Sequence, residues 1–335
     1  MAERVFIVAE AGMNHDGSLG IAGRMVDVAV ECGVDAVKFQ LHDASAETTA
    51  NAPPPPYFGA EPRYAYFQRT AFDDAGWRSL ADRCRDGGVE FVCSPFSIEA
   101  VERLDALGVG RFKIGSGEVT NLPMLRRIAA TGRPVILSSG MSSWEELDAA
   151  VSVLRDGGPL ELMQCTSEYP CLPEHVGLNV IAEMRERYAL PVGLSDHTLG
   201  LGASIAAVAH RAASIERHFT LSRSMYGPDA VMSLEPDELK QLVFEIRDVE
   251  RMLRAPVDKT DVSRFADMKR IFEKSVVSVT DIPAGSVIET HMVAVKKPGT
   301  GIPARRLDEV IGLRARRTIE MDVVLVDEDV EWRTA

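Results

Sequence analysis

What is scarce in this 335-residue chain narrows its class first. No apolar run approaches the roughly 20 residues that a membrane-spanning helix needs, so an integral membrane protein is not expected. The start, MAERVFIVAEAG, lacks the basic n-region and long apolar h-region of a signal peptide, and a cytoplasmic location follows as an expectation. Five cysteines, Cys32, Cys84, Cys93, Cys165 and Cys171, form an odd set without a CxxC pair, which suits reduced thiols rather than a disulfide framework or a zinc ribbon. Positive charge is also short. Against 50 Asp and Glu stand 37 Lys and Arg, a formal net charge of −13 whose field repels nucleic acid. An anionic substrate would have to be attracted by individual Lys, Arg, metal and backbone groups inside a pocket.

What is present has the balance of a globular protein, 46% hydrophobic and 26% charged, with length for one large domain and a small one. Eight short β-rich runs recur: RVFIVAEAG, VDAVKFQ, VEFVCSPF, RFKIGSG, PVILSSG, LELMQCTS, PVGLSDHT and SIERHFT. Between them lie segments such as SIEAVERLDALG, with apolar residues at helical spacing and a closing Gly. Eight βα units predict a (β/α)8 TIM barrel, with a doubly wound open sheet as the alternative. One strand interval is long, 55 residues from Val34 to Val89, and holds an insertion over 51–72 with a run of four prolines, aromatics and arginines. The prolines favour an extended segment; the insertion is either a surface excursion packed on the barrel or part of a pocket rim. The spacing divides the chain into a barrel over 1–254, a polar connector over 255–274 and a small β-rich domain over 275–335.

Nearly every predicted strand ends in polar side chains that packing does not require. Glu10 follows the first, Lys38 and Gln40 the second, Ser94 the third, and Lys113, Ser116 and Glu118 the fourth. Ser138 and Ser139 follow the fifth, Gln164, Thr166 and Ser167 the sixth, Ser195, Asp196 and His197 the seventh, and Glu216 and His218 the eighth. In a (β/α)8 barrel these ends converge on the face where active sites are built. His197 and His218, on consecutive strands, form a candidate metal pair; two imidazoles leave coordination positions open, which suits Mn²⁺ or Mg²⁺ more than a closed zinc site. Asp196 either orients His197 or caps the following helix. Lys38 and Lys113 point inward and each needs an anion: a glutamate such as Glu10 or Glu118, or the phosphate or carboxylate of a ligand. The surrounding hydroxyls and Gly-flanked amides favour the ligand, a small multiply charged anion beside a metal.

The motifs VAEAGMNHDGS, DAVKFQ, FVCSPF, FKIGSGEVTNLPML, ILSSGMSS, QCTSEYP, GLSDHT, ERHFTLSRSMYGPDAVMSLEPDEL and VKKPGTGIP together resemble the sialic acid synthase family, from about residue 5 to 332. The last domain resembles that family's antifreeze-like, or SAF, domain. The resemblance implies a phosphoenolpyruvate-condensing transferase acting on an open-chain acylamino sugar aldehyde, giving a nine-carbon 2-keto acid and phosphate with C–O cleavage. It implies Mn²⁺ on His197 and His218. Phosphoenolpyruvate would be gripped by Lys38, Lys113, Ser94, Ser116, Ser138, Ser167 and Ser195, with Lys113 and Glu10 in the chemistry and Glu10 managing water or protons. Gln40, Glu118, Tyr169 and Asp229 would recognise the sugar. The family's homodimer, with the SAF domain swapped onto the partner's active site, is the implied assembly.

One departure stands out. Where the bacterial family pattern is Lys-Arg-Pro-Gly, this chain reads KKPG, so Lys297 occupies the place of the arginine that reaches into the partner's site, and loses its bidentate fork. Arg305 or Arg306 could compensate. The acceptor stays open among N-acetylmannosamine, its 6-phosphate and a diacetamido-trideoxy-hexose, Arg63 and Arg69 being candidates for a phosphate. Condensation with a different aldehyde and a non-catalytic binding homologue are the competing functions.

Overall fold

Eight parallel strands close on one another in chain order: β1 (Phe6–Gly12), β2 (Ala36–Leu41), β3 (Glu90–Pro95), β4 (Arg111–Ile114), β5 (Val135–Ser138), β6 (Leu160–Cys165), β7 (Val192–Asp196) and β8 (Ser214–His218). Closure is carried by β1, whose Glu10 lies opposite Lys38 of β2 on one side and His218 of β8 on the other. This computed structural model describes residues 4–53 and 61–332. The chain divides into two compact units, the first ending at Ala255 and the second beginning at Pro256.

The barrel follows from period-two alternation along each strand. Ile7, Val37, Phe39, Phe91, Cys93, Phe112, Leu137, Leu162, Leu194 and Ile215 belong to the large apolar core shared with the outer helices. Their neighbours in sequence face inward. Val8, Ala36 and Val92, with Phe6, fill the barrel low down in a cluster of their own, and the polar strand ends line a cavity above them. The helices start and stop where the sequence marks them. Ser18, Ser97 and Ser143 accept from the amides of Ile21, Ala100 and Glu146, and Glu146 answers Ser143 in a capping box. Gly33 and Gly108 end their helices at φ 83° and 82°, left-handed backbone that a side chain would strain.

The long interval after β2 carries a helical turn at Ala44–Glu47 and, within the described part of the insertion, a helix at Arg63–Thr70. Its Tyr66 and Phe67 pack with Met13 and Ala44 in a small buried cluster, while Arg63 and Phe67 line the cavity. The insertion is thus part of the pocket wall. Most of the expected extended proline segment, 54–60, lies outside the described residues.

The stretch 255–274, read from sequence as a polar connector, carries a 3-10 turn at Ser263–Phe265 and a helix at Ala266–Phe272. Beyond it, β9 (Ser275–Ser278) and β10 (Val293–Lys296) pair antiparallel over a core that includes Val276, Ile282, Ile288, Ile302, Val310 and Leu325. Among the described residues no helix is long and apolar enough to cross a membrane.

Candidate active site

The cavity at the C-terminal strand ends has a volume of about 510 Å³ and is lined by Glu10, Lys38, Gln40, Ser94, Lys113, Ser116, Glu118, Ser138, Ser167, Tyr169, Ser195, His197, Glu216, His218 and Asp229, whereas the strand-end residues Ser139, Gln164, Thr166 and Asp196 do not line it. Lys297 belongs to the second unit and is exposed, with its ammonium 4.9 Å from the centre of the Phe272 ring.

Glu216 sits at the centre. Its Oε1 accepts from Lys113 Nζ at 2.9 Å, from Lys38 Nζ at 3.1 Å and from the Ser195 hydroxyl at 3.2 Å. Lys38 is also 3.3 Å from Glu10 Oε2. This corrects the pairing expected for the lysines. Glu216 is the anion for both, Glu10 is a second partner for Lys38 alone, and Glu118 pairs with neither, since it accepts from Asn121 Nδ2 at 2.8 Å in the 3-10 turn after β4. The reason is the parallel register: Ser195 of β7 lies beside Glu216 of β8, whose side chain spans the barrel to β2 and β4.

Two ammoniums share the Glu216 carboxylate while Glu10 lies beside Lys38, and the groups of the cavity floor respond to one another. Burial opposes ionisation of Glu216, yet Lys113 and Lys38 hold it well below the ordinary carboxylate range. Burial also disfavours charge on Lys38, but Glu10 and Glu216 outweigh it and raise this ammonium; for Lys113 burial wins and lowers it. Glu10, fully buried and with Glu216 nearby, is pushed up to about 7 despite Lys38. That value suits a group that takes and gives a proton near neutrality. Burial likewise raises Glu118 and Asp229.

The hydroxyls of Ser138 and Ser167, Oε2 of Glu216 and Nδ1 of His218 are buried without a hydrogen-bond partner among the described residues. Buried polar atoms of this kind are normally satisfied, and their gathering around one cavity marks where a polar ligand or water belongs. Gly140 after β5 tightens the same spot. A Cβ there would lie 1.8 Å from Ser116 Oγ and 2.4 Å from Ser167 Oγ, so only glycine lets the three strand ends meet.

The imidazoles of His197 and His218 lie 5.5 Å apart, ring centre to ring centre, with Tyr169 packed 4.3 Å from His197. His197 Nδ1 donates to the Thr166 carbonyl at 2.9 Å, which leaves its Nε2 lone pair as the acceptor. Burial, and then His197, push His218 well below the usual imidazole range, so it is neutral with its Nδ1 unengaged. Asp229 Oδ2 is 3.8 Å away. No group of three or more His, Cys, Asp or Glu side chains among the described residues could hold a metal alone. The residues fit an open site in which two imidazoles leave the other positions to water and ligand.

Asp196 takes neither role foreseen for it. Its carboxylate accepts from Arg217 Nη1 at 2.7 Å, from the Ser204 hydroxyl at 2.5 Å and from the Thr198 amide at 2.8 Å, a buried brace outside the barrel. Arg69 binds Glu61 and Asp16 on the surface, whereas Arg63 reaches the cavity. Reading strand ends missed Cys165, His42, Phe67 and Phe96 as cavity residues. Cys165 alternates with Met163 and was there to be found; His42 lies one residue past β2, and its aromatic neighbours come from the helix at Arg63–Thr70 and the loop after β3.

Comparison with known proteins agrees with this construction. The NeuB family matches residues 25–258, and the SAF domain matches residues 273–331. The chain is 35% identical over 332 residues to the N,N'-diacetyllegionaminic acid synthase of Campylobacter jejuni, covering 96% of this chain and 99% of that one. It is equally 35% identical, over 339 residues, to the N-acetylneuraminate-9-phosphate synthase of Homo sapiens, covering 97% of this chain and 92% of that one. Among solved structures, the N-acetylneuraminic acid (sialic acid) synthetase of Leptospira borgpetersenii in complex with citrate is similar with a TM-score of 0.71 and 31% identity, over 80% of this chain and 91% of that chain. With barrel and small β unit both matched in order, the chain belongs to the NeuB family and carries a SAF domain.

Proposed function

We propose that the protein is a transferase that condenses phosphoenolpyruvate with an open-chain acylamino sugar aldehyde, releasing phosphate by C–O cleavage and giving a nine-carbon sialic-type 2-keto acid. The observation that carries this reading is the buried Lys38–Glu216–Lys113 group under a ring of hydroxyls, beside two imidazoles in one cavity. Relatives named as synthases of legionaminic, pseudaminic and N-acetylneuraminic acid phosphate support the reaction class and leave the acceptor open.

Lys38 and Lys113, with Ser94, Ser116, Ser138, Ser167 and Ser195, hold the phosphate and carboxylate of phosphoenolpyruvate and fix its C3 toward the aldehyde. His197 and His218 hold a divalent cation, Mn²⁺ by preference, and such an ion supplies polarisation of a carbonyl oxygen when bound. Once the new C–C bond forms, water adds to the cationic C2 and its proton passes to Glu10. The proton held by Glu10 passes to the alkoxide left from the aldehyde, and the tetrahedral carbon expels phosphate as its C2 hydroxyl gives up a proton to become the ketone, the lysines facing the phosphate's charge. Glu118, Tyr169 and Asp229 read the acceptor's hydroxyl and acylamido groups, and Gln40 has one amide N–H to offer. The assembly is a homodimer in which Lys297 of one copy's SAF domain completes the other copy's cavity.

Phosphate release from phosphoenolpyruvate, followed with N-acetylmannosamine, its 6-phosphate and a diacetamido-trideoxy-hexose, tests the proposal. Release is expected with at least one acceptor, is lost on chelation and returns with Mn²⁺. His197→Ala is expected to lose turnover by at least about 100-fold while keeping its far-ultraviolet circular dichroism. Failure of metal-loaded protein to release phosphate with any of these aldehydes would refute the enzyme and favour the binding homologue.

A further inference from the structure

Gln40 makes a contact that sugar recognition does not need. Its amide Nε2 donates to Glu10 Oε1 at 2.7 Å, and its Oε1 lies 3.0 Å from Nε2 of His42. Nδ1 of His42 lies 2.9 and 3.1 Å from the two oxygens of Glu47. The imidazole is stacked between Phe67 and Phe96, with ring centres at 3.8 and 4.3 Å and planes inclined by only 6° and 14°. Both faces and both nitrogens of this buried ring are therefore occupied, and the side chains of His42 and Glu47 are only 5% and 3% exposed.

The hydrogens follow from the acceptors. A glutamine oxygen only accepts, so His42 Nε2 must carry a hydrogen; the Glu47 carboxylate accepts at Nδ1, so both ring nitrogens donate and Glu47 is the counter-charge that keeps the second hydrogen in place. With its oxygen engaged, the Gln40 amide has one orientation left, NH₂ toward Glu10. The reversed amide would set its oxygen against a Glu10 oxygen at 2.7 Å and two hydrogen-bearing nitrogens against each other. We infer that Glu47 and His42 are positioning residues that lock the Gln40 amide, so that Glu10 always meets a donor and is held in place as an acceptor for a proton. Gln40 is then first a brace for Glu10 and only secondarily a reader of the acceptor.

The other charged groups near this chain leave that assignment standing. Lys38 and Glu216 act on Glu10 from β2 and β8, and Lys113 from β4. Around His42, Glu118 and Asp229 lie within electrostatic reach, His15 responds to it from beyond β1, and Arg63 lies over the far ring, 5.2 Å from Phe67. None of these makes a hydrogen bond to His42 or Gln40 among the described residues.

The inference rests on Glu10 acting as proposed, and its test keeps the two separable. In full-length protein labelled with ¹⁵N-glutamine, the Gln40 side-chain amide is identified by its loss in Gln40→Leu. The intact protein should give one NH₂ pair with one proton displaced by the bond to the Glu10 carboxylate. His42→Phe, which preserves the stack, and Glu47→Ala, which frees the imidazole tautomer, should each abolish that displacement. Glu47→Gln should retain it, because the new amide N–H can donate to a bare Nδ1 and leave the ring hydrogen on Nε2. In turnover, the two disruptive variants should lose about tenfold in kcat with KM for phosphoenolpyruvate within about twofold, and Glu47→Gln should be spared. If His42→Phe does not fold, Glu47→Ala decides alone. An unchanged Gln40 signal in the folded disruptive variants overturns the inference even where phosphate release proceeds. Absence of phosphate release in the unmodified protein refutes the reaction and leaves the amide signal as the judge of the brace.

Discussion

Oxygen Oε1 of Glu216 accepts from two ammoniums and a hydroxyl, and this single atom organises the electrostatics of the cavity. Beside it Glu10 has the opposite lot, buried and raised to about 7. The sign of its effect on stability follows. Between its ordinary value of 4.5 and about 7, the folded chain keeps a proton that the unfolded chain has released, so stability falls as pH rises through that window. Glu216 acts in the other direction, its contribution being present above the ordinary value and lost as pH falls toward its depressed one. Glu10→Gln should remove the decline between pH 4.5 and 7, on the order of 3 kcal/mol at most, read as urea midpoints across that range. It should also flatten the acid limb of kcat/KM. Equal pH slopes in the variant and the parent would contradict the assignment.

At the scale of elements, the site is precise because strand ends, not flexible loops, carry most of it. Period-two alternation sends Lys38 and Gln40 of one strand, and Glu216 and His218 of another, to the same interior face, while Phe39 between the first two and Ile215 just before the second two face the helices. The loops after β4, β5 and β6 meet at Gly140, which has no room for a side chain. Gly140→Ala should displace the Ser116 and Ser167 hydroxyls and raise KM for phosphoenolpyruvate by about tenfold, as expected for removing one or two hydrogen bonds to an anion. Steady-state kinetics with the acceptor saturating provides the check, and an unchanged KM would free these hydroxyls from phosphoenolpyruvate binding.

At the scale of the whole molecule, each unit has its own apolar core, so the chain can present two rigid bodies to an assembly. The proposed swapped homodimer makes a demand on mixtures of inactive variants. When His197→Ala and Lys297→Ala are co-expressed, heterodimers place an intact barrel against an intact SAF domain at one of their two sites. About a quarter of the parent activity should return, since half of the random dimers are mixed and half of their sites are whole. Without swapping, every site keeps one lesion and no activity returns. Sedimentation of the parent as a stable, fully active monomer would exclude the arrangement.

The sequence alone determined the barrel, the small β unit and the face on which the chemistry lies, because strand periodicity, helix caps and strand-end polarity are local properties of the chain. Glu10, Lys38, Gln40, Ser94, Lys113, Ser138, Ser195, Glu216 and His218 line one cavity for that reason. Tertiary structure decided the pairings. Lys113 meets Glu216 across 103 positions of sequence, a partnership created by barrel closure and register and invisible in either strand. Asp196 lies next to His197 in sequence yet braces Arg217, since neighbours in a strand face opposite sides. The His42 ring acquires its aromatic neighbours from Phe67 and Phe96, on segments that only packing brings together. Local pattern assigns a side chain to a face, whereas its partner on that face is set by distances that exist only once the chain has closed.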